Sequence, residues 1–534
     1  MEIYFYFRLL IKPDPMKRIL YRSIFAITIL SLVLVSCAEK QEVGKSLPRS
    51  TPEAEGVSSK AILTFLDSAA VSRHEFHSFM FLRHGKVIAE GWWNPYGPDL
   101  KHTLNSASKS FTSTAIGFAI SEKKLSLDDK VVSFFPEYLP DSVSVFLSKL
   151  RIRDLLTMST GQKREALLTG DDIWVKAYLA LPILSEPGTT YRYSSIASYM
   201  LSAIINKVTG QKVIDYLTPR LFEPLAIEGM DWETDAYGIN TGGWGLRLKT
   251  EDLAKFGQFY LQKGKWNGKQ LLPKKWVEEA TSVKIYQNPA MTQSKRDSSN
   301  DGVQGYCYQF WRARHNSYQV NGANGQFVVV MPEKDAVVIF TADSPDMWGE
   351  IGMIWEFLYP AIQDKALPPD DATANELKQR LASLALPIPV KNSNDALTSK
   401  ISGKTFTFAE NDKHIKSISL QFKDDLCLLN LKTDTTSFDF SFASGRWQLG
   451  ETAKHGPSIF GQAKNNQNGL PLFKLAQAYT WLDDKTLELS LRYIENVSSE
   501  KIVIKFDEIG KKKIFFDLKN NRFSKVLPLE GVMQ

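Results

Sequence analysis

Asn105 to Phe118 reads NSASKSFTSTAIGF and sets Ser106 and Lys109 three residues apart. Residues at that spacing share one face of a helix, so an amine at 109 can reach a hydroxyl at 106. The same Ser-x-x-Lys spacing recurs at Ser121 to Lys124 and at Ser498 to Lys501, so spacing alone does not choose among them. Their surroundings do. Ser121 and Lys124 stand in SEKKLSLDDK, a charged helix end, and Ser498 and Lys501 in NVSSEK, a turn between strands. Behind Ser106, in contrast, Phe111, Ala115, Phe118 and Ala119 form an apolar stripe. That stripe predicts a buried helix whose N-terminus points into the domain, where the helix dipole favours negative charge developing on a serine. A lysine acting there as a base must be neutral. Lowering its pKa from about 10.4 to near 7 costs about 4 to 5 kcal/mol, which burial and another nearby cation can supply, so a second polar group should be close.

A second motif lies downstream in EPGTTYRYSS, residues 186–195. With it the chain resembles the serine hydrolases related to class C β-lactamases, a family that includes penicillin-recognising DD-peptidases, esterases and 6-aminohexanoate-dimer hydrolases. The segments RHGKVIAEGWW, LRIRDLLTMSTG, GGWGLRLKTEDLAKFGQFYLQKGKWNGKQLLPKKWV and NGANGQFVVVMPEKDAVVIF extend the resemblance over residues about 50 to 362. The resemblance implies Ser106 as nucleophile, Lys109 as its base, and a Tyr-x-Asn tyrosine as proton relay. Here that motif is Tyr193-Ser194-Ser195, so the relay falls on Tyr193 rather than Tyr191 and the asparagine is replaced by Ser195. The third family motif, Lys-Thr-Gly or His-x-Gly, aligns with Val320-Asn321-Gly322, which keeps the glycine and lacks the cation. The family pattern then implies an oxyanion hole from the Ser106 and Ala323 amides, each such donor being worth about 2.7 to 4 kcal/mol to a transition state. It also implies substrate contacts from Ser195, Asn321 and Gly322.

The missing cation bears on substrate. A charge-assisted hydrogen bond is worth about 1.5 to 3 kcal/mol, so its loss weighs against an efficient β-lactamase or a carboxypeptidase acting on terminal D-alanine. Arg192 or Arg247 are the candidates to replace it from another loop. The expected activity is acyl transfer to water from an amide or ester through a Ser106 acyl-enzyme. The alternatives are a cell-wall DD-peptidase or D-amino-acid amidase and, from another class, a penicillin-binding-like recognition module without turnover.

The implied fold is an α/β (α+β) β-lactamase/DD-peptidase-like domain: an antiparallel sheet flanked by helices, with a helical subdomain from about Thr103 to Ser282. Sheet elements come from both ends of it, HSFMFLRHGKVIAEGWW early and SYQVNGANGQFVVVMPEKDAVVIFTAD late, with WGEIGMIWEFLYPAI as a closing helix. The Pro-rich acidic stretch DKALPPDDATANELKQ opens a linker. Beyond it SISLQF, LCLLNLK, FDFSF, LELSLRYI, KIVIKF and KIFFDL recur as short strands, which predicts an all-β domain resembling a lipocalin-like barrel. The expected division is a lipoprotein signal peptide at 1–37, a tether at 38–50, the hydrolase domain at 51–363, a linker at 364–396 and the barrel at 397–534.

The signal reading rests on MKRILYRSIFAITILSLVLVSC from Met16, a basic start followed by an apolar run from Ile24 to Val35 that is too short to span a bilayer comfortably. Residues 1–15 read as standing ahead of the true start. Its end, Leu34-Val35-Ser36-Cys37, resembles a lipobox, which implies lipidation of Cys37 and an exported protein held at a bacterial membrane. The remaining cysteines, Cys307 and Cys427, are expected to be reduced and buried. A net charge of +6 over 534 residues does not suggest nucleic acid. No Gly-x-Ser-x-Gly elbow or phosphate-cradling glycine loop is present, and HEFH at 74–77 is too tight for His-Glu-x-x-His and reads as a surface helix end. No metal or other cofactor is expected.

Overall fold

Valine and phenylalanine dominate the late strands without the alternation of a half-exposed sheet, and the reason is a sheet covered on both faces. A computed structural model describes residues 46–534 apart from 167, 169–171, 458–469, 507–512 and 521–527. The signal segment and Cys37 lie outside the described residues. Among the described residues no helix is long and apolar enough to cross a membrane. The sheet is antiparallel and six-stranded: β1 (Glu75–Arg83), β2 (Lys86–Trp92), β3 (Trp311–Arg312), β4 (Tyr318–Gly322), β5 (Gln326–Met331) and β6 (Ala336–Asp343), in the order β2-β1-β6-β5-β4-β3. The early and late segments therefore meet at β1 and β6, where Phe79 pairs with Phe340.

Each face buries its own core. Met80, Leu82, Val320, Val328 and Ile339 pack with the helical layer, which includes α2 (Ser108–Ser121), α3 (Ser195–Thr209) and α4 (Thr250–Leu261). Phe79, Phe81, Phe327, Val329 and Phe340 pack instead with α1 (Ser59–Val71) and α5 (Met347–Met353). The approach of α4 to the sheet is close enough that a Cβ at Gly257 would lie 2.6 Å from both Val328 and Val337. α3 stops on Gly210 at φ 69°, the left-handed cap that glycine adopts without steric cost. Between the helices a small three-stranded sheet joins His102–Thr103, Leu246–Leu248 and Asp231–Trp232.

The stretch read as a linker is largely built into the fold. Asp371–Ala382 forms α6 against α1, and Leu377, Leu384 and Leu386 are buried in the same core as Phe340. Asn94 donates its N–H to the Leu384 carbonyl and accepts from the Leu386 N–H, which fastens this segment beside β2.

The C-terminal strands are β7 (Lys404–Phe408), β8 (Ile415–Lys423), β9 (Leu426–Thr433), β10 (Ser437–Ser444), β11 (Gln448–Thr452), β12 (Phe473–Trp481), β13 (Thr486–Tyr493), β14 (Ser499–Phe506), β15 (Lys513–Asn520) and β16 (Leu529–Met533). Nine of them close a barrel through a short parallel pairing of β10 with β12, and β11 pairs alongside β12. Inward residues such as Phe406, Ile418, Leu429, Phe442, Leu487, Ile504 and Phe516 fill its interior together with Leu397 and Ile401 of α7 (Asp395–Ile401). It is thus a packed barrel with closed edges.

The barrel docks on the hydrolase layer through the turn after β13. Ala476 and Ile494 are buried in the hydrolase core; Glu495 accepts the Thr103 N–H at its carbonyl, and its carboxylate meets Arg247 at 3.4 Å. Arg492 forks onto Glu75 at 2.5 and 2.9 Å. His77 lies beneath this contact, fully buried, 2.9 Å from His102 and stacked on Tyr96. HEFH therefore runs into β1, which starts at Glu75, rather than ending a surface helix, and Phe76 and His77 are buried in it. Cys307 and Cys427 are buried free thiols.

Candidate active site

Ser106 is the middle residue of a short 3-10 turn, Asn105–Ala107, that leads directly into α2. The turn is closed by Ala107 donating to Leu104, and it is entered through Asn105 at φ 46°, a left-handed conformation that asparagine tolerates better than most residues. The Asn105 side-chain amide spans to the Ala323 carbonyl at 2.8 Å, tying the nucleophile turn to the hairpin after β4. Gly322 completes that junction. A Cβ there would fall 2.1 Å from the Leu104 carbonyl oxygen, so only glycine lets β4 lie against the turn.

One helical turn on, Lys109 is 2% exposed. Its Nζ donates to Ser106 Oγ at 3.1 Å, to Ser195 Oγ at 3.1 Å and to the Gly243 carbonyl at 2.7 Å. Burial lowers its pKa from 10.5 to about 7, with the Glu165 carboxylate acting in the opposite direction. Burial does the lowering, the charge acting on it is negative, and the second polar group expected close by is there in Ser195. The Tyr193 ring lies alongside, its centroid 4.8 Å from Lys109 Nζ. Burial raises the Tyr193 pKa and outweighs the lowering effect of Ser106, so the phenol keeps its proton at neutral pH.

Ser106, Lys109, Tyr193 and Ser195 therefore converge. Gly322 and Ala323 border them, with Ala323 one residue beyond the last paired residue of β4, since Gly322 pairs with Gln326. Ser106, early in its turn, likewise has an N–H without a partner in that turn. Asn321 does not converge. Its side chain shares a sheet face with Phe327, opposite to Val320, and its buried Nδ2 has no hydrogen-bond partner among the described residues. The other two Ser-Lys pairs are distant from such chemistry: Ser121 Oγ donates to the Phe118 carbonyl, and Ser498 Oγ to that of Pro457.

The model of the family described as Beta-lactamase matches residues 77–349, just over half of the chain. The chain belongs to the Beta-lactamase family. It is therefore a member of a hydrolase family. A curated relative, the 6-aminohexanoate-dimer hydrolase of Paenarthrobacter ureafaciens, is 26% identical over 293 residues, covering 50% of this chain and 73% of that protein. Among solved structures, the octameric penicillin-binding protein homologue from Pyrococcus abyssi is 15% identical with a TM-score of 0.46, covering 88% of this chain and 99% of that one. A D-stereospecific amidohydrolase from Streptomyces sp. is 16% identical with a TM-score of 0.44, covering 57% and 99%.

Within this Beta-lactamase family domain, three site features escaped sequence reasoning. Asn105 sits beside the nucleophile and carried a weak signal, its tolerance of positive φ. The Gly243 carbonyl carried none, because its role depends on a backbone path far along the chain. Glu165 carried none either: its carboxylate accepts a short hydrogen bond from the Ser195 N–H at the start of α3. Of the two arginines, Arg247 does not replace the missing cation as folded. Arg247 is committed to Asp231 and Glu495, and Arg192 is exposed.

Proposed function

We propose that the chain is a serine hydrolase that cleaves an ester or amide bond through an acyl-enzyme on Ser106. The observation that carries this reading is the buried Lys109 amine held between Ser106 Oγ and Ser195 Oγ, with the Tyr193 ring beside it at 4.8 Å. A lysine whose pKa is near neutral has a substantial uncharged fraction in water at pH 7 and above, so it serves as a base.

Ser106 Oγ bonds to the substrate carbonyl carbon while its proton passes to Lys109, directly or through Tyr193. The resulting oxyanion is placed at the Ser106 and Ala323 amides. Tyr193 returns the proton to the departing oxygen or nitrogen as its bond to carbon breaks. Water then attacks the acyl-enzyme, gives its proton to the same pair, and releases the acid with the Ser106 hydroxyl restored. Ser195, in the place of the family asparagine, orients the amine. Val320, standing where the family carries a cation, disfavours β-lactamase and terminal D-alanine carboxypeptidase activity.

Hydrolysis of short-chain esters, ω-amino amides and D-amino-acid amides, followed in the wild type and in Lys109→Met and Tyr193→Phe, tests the reading. Turnover of at least one class that falls about a hundredfold or more in both variants supports it. A fully folded protein that hydrolyses none of them, yet binds penicillin reversibly, supports the recognition module instead.

We also propose that the mature protein is anchored to a membrane by lipid on Cys37, on the support of the basic start, the apolar run and LVSC. Incorporation of an alkynyl fatty acid in a bacterial host, abolished in Cys37→Ala, is the expected outcome; equal incorporation in both would rule it out.

A further inference from the structure

The proton relayed by Tyr193 ends on the departing group, so the side chains beside Tyr193 meet that group; this inference rests on the serine-hydrolase reading. Those side chains are aromatic. The Trp311 ring centroid lies 5.8 Å from that of Tyr193, and the fully buried Tyr306 stands edge-on behind Trp311 at 5.0 Å. Trp348 continues the wall at 5.8 Å from Trp311. It is carried by α5, which reaches the hairpin after β4: a Cβ at Gly325 would lie 2.1 Å from a Glu350 carboxylate oxygen. The wall thus runs from Tyr193 through Trp311 to Trp348, which packs on the turn at Gly302, and both Trp311 and Trp348 are only half-buried.

Three of the nearby cations are committed elsewhere. Arg312 donates to the Thr281 carbonyl and to Asn316, Arg314 pairs with Asp301, and Arg247 is held by Asp231 and Glu495. Arg192 stands exposed between two half-buried tyrosines of an extended segment. On β4 itself the position is Val320, 1% exposed. Against the Trp311 and Trp348 rings a departing carboxylate would lose hydration without a charge on that wall to replace it, whereas an aromatic or bulky apolar group would gain ring contacts.

We propose that Trp311 and Trp348 form a subsite for an uncharged aromatic departing group, so that the preferred substrates are arylalkyl esters or amides rather than carboxylate-ended ones. The test compares benzyl acetate, ethyl acetate and O-acetylglycolate, which share an acyl group, using the full chain. The expected kcat/KM for benzyl acetate exceeds both others about tenfold or more. Trp348→Ala lowers the benzyl-to-ethyl ratio about tenfold, and in the wild type benzyl alcohol inhibits competitively where glycolate does not. Equal kcat/KM for the three esters, in enzyme whose Ser106 still reacts with a fluorophosphonate, overturns the subsite and leaves the hydrolase reading intact. Failure of Ser106 to react overturns both.

Discussion

Lys109 Nζ stands 3.1 Å from Ser106 Oγ in a pocket that leaves the lysine 2% exposed. The base and nucleophile are thus in contact before substrate arrives, and the protonation of one buried amine gates the reaction. With burial holding that amine near 7, kcat/KM is expected to rise through about pH 7 and to level above it. Glu165 raises the Lys109 pKa, so Glu165→Gln should move this rising limb to lower pH. A limb that stays in place, or moves upward, in the variant would contradict the electrostatic role.

The same burial costs stability. The folded pKa of about 7 lies below the unfolded 10.5, so between these values the unfolded chain binds more protons and wild-type stability rises with pH. Lys109→Met removes the cost. It should stabilise the protein by up to about 4 kcal/mol at or below pH 7, with the gain fading towards pH 10.5, as read by urea unfolding across that range.

Gly322 separates structural contact from catalysis. Gly322→Ala drives a methyl into the Leu104 carbonyl and should cost about 1 to 3 kcal/mol and displace the Ser106 turn, lowering kcat more than it raises KM. Gly97→Ala, with nothing within 4 Å of its new Cβ, is the control and should be nearly neutral.

Barrel docking has an energetic anchor in Glu495, 3% exposed and facing Arg247. Glu495→Ala leaves a buried guanidinium short of one partner and should cost about 3 kcal/mol. Because Thr103, two residues before Asn105, also bonds to the Glu495 backbone, the hydrolase and barrel are expected to unfold in one transition by calorimetry. Two well-separated transitions would show that the barrel is independent.

Ser106, Lys109 and Tyr193 were legible because their chemistry is local: a three-residue spacing, an apolar stripe behind it and a tyrosine motif at the head of the next long helix. The sheet was legible for a similar reason, since β5 and β6 are continuous apolar runs around a Pro-Glu-Lys-Asp turn. What stayed hidden depends on distant backbone. Glu165 reaches Ser195 from another loop, and Gly243 offers a carbonyl that no side-chain pattern encodes. The face that Asn321 takes was hidden because one residue along a strand changes the face, and the motif alignment does not say which face reaches the serine. His77 looked like surface because the barrel that covers it comes from the far end of the chain. The linker looked polar because α6 buries Leu377 while most of its other side chains remain outside.

The central claim is that Ser106, among the three serines spaced three residues before a lysine, is the acylated nucleophile. Incubation with a fluorophosphonate at pH 8, followed by peptide mapping by mass spectrometry, tests it most directly. One adduct per chain on Ser106, lost in Ser106→Ala and kept in Ser121→Ala, is the expected result. A folded wild type that forms no adduct, or an adduct that persists in Ser106→Ala, would contradict it.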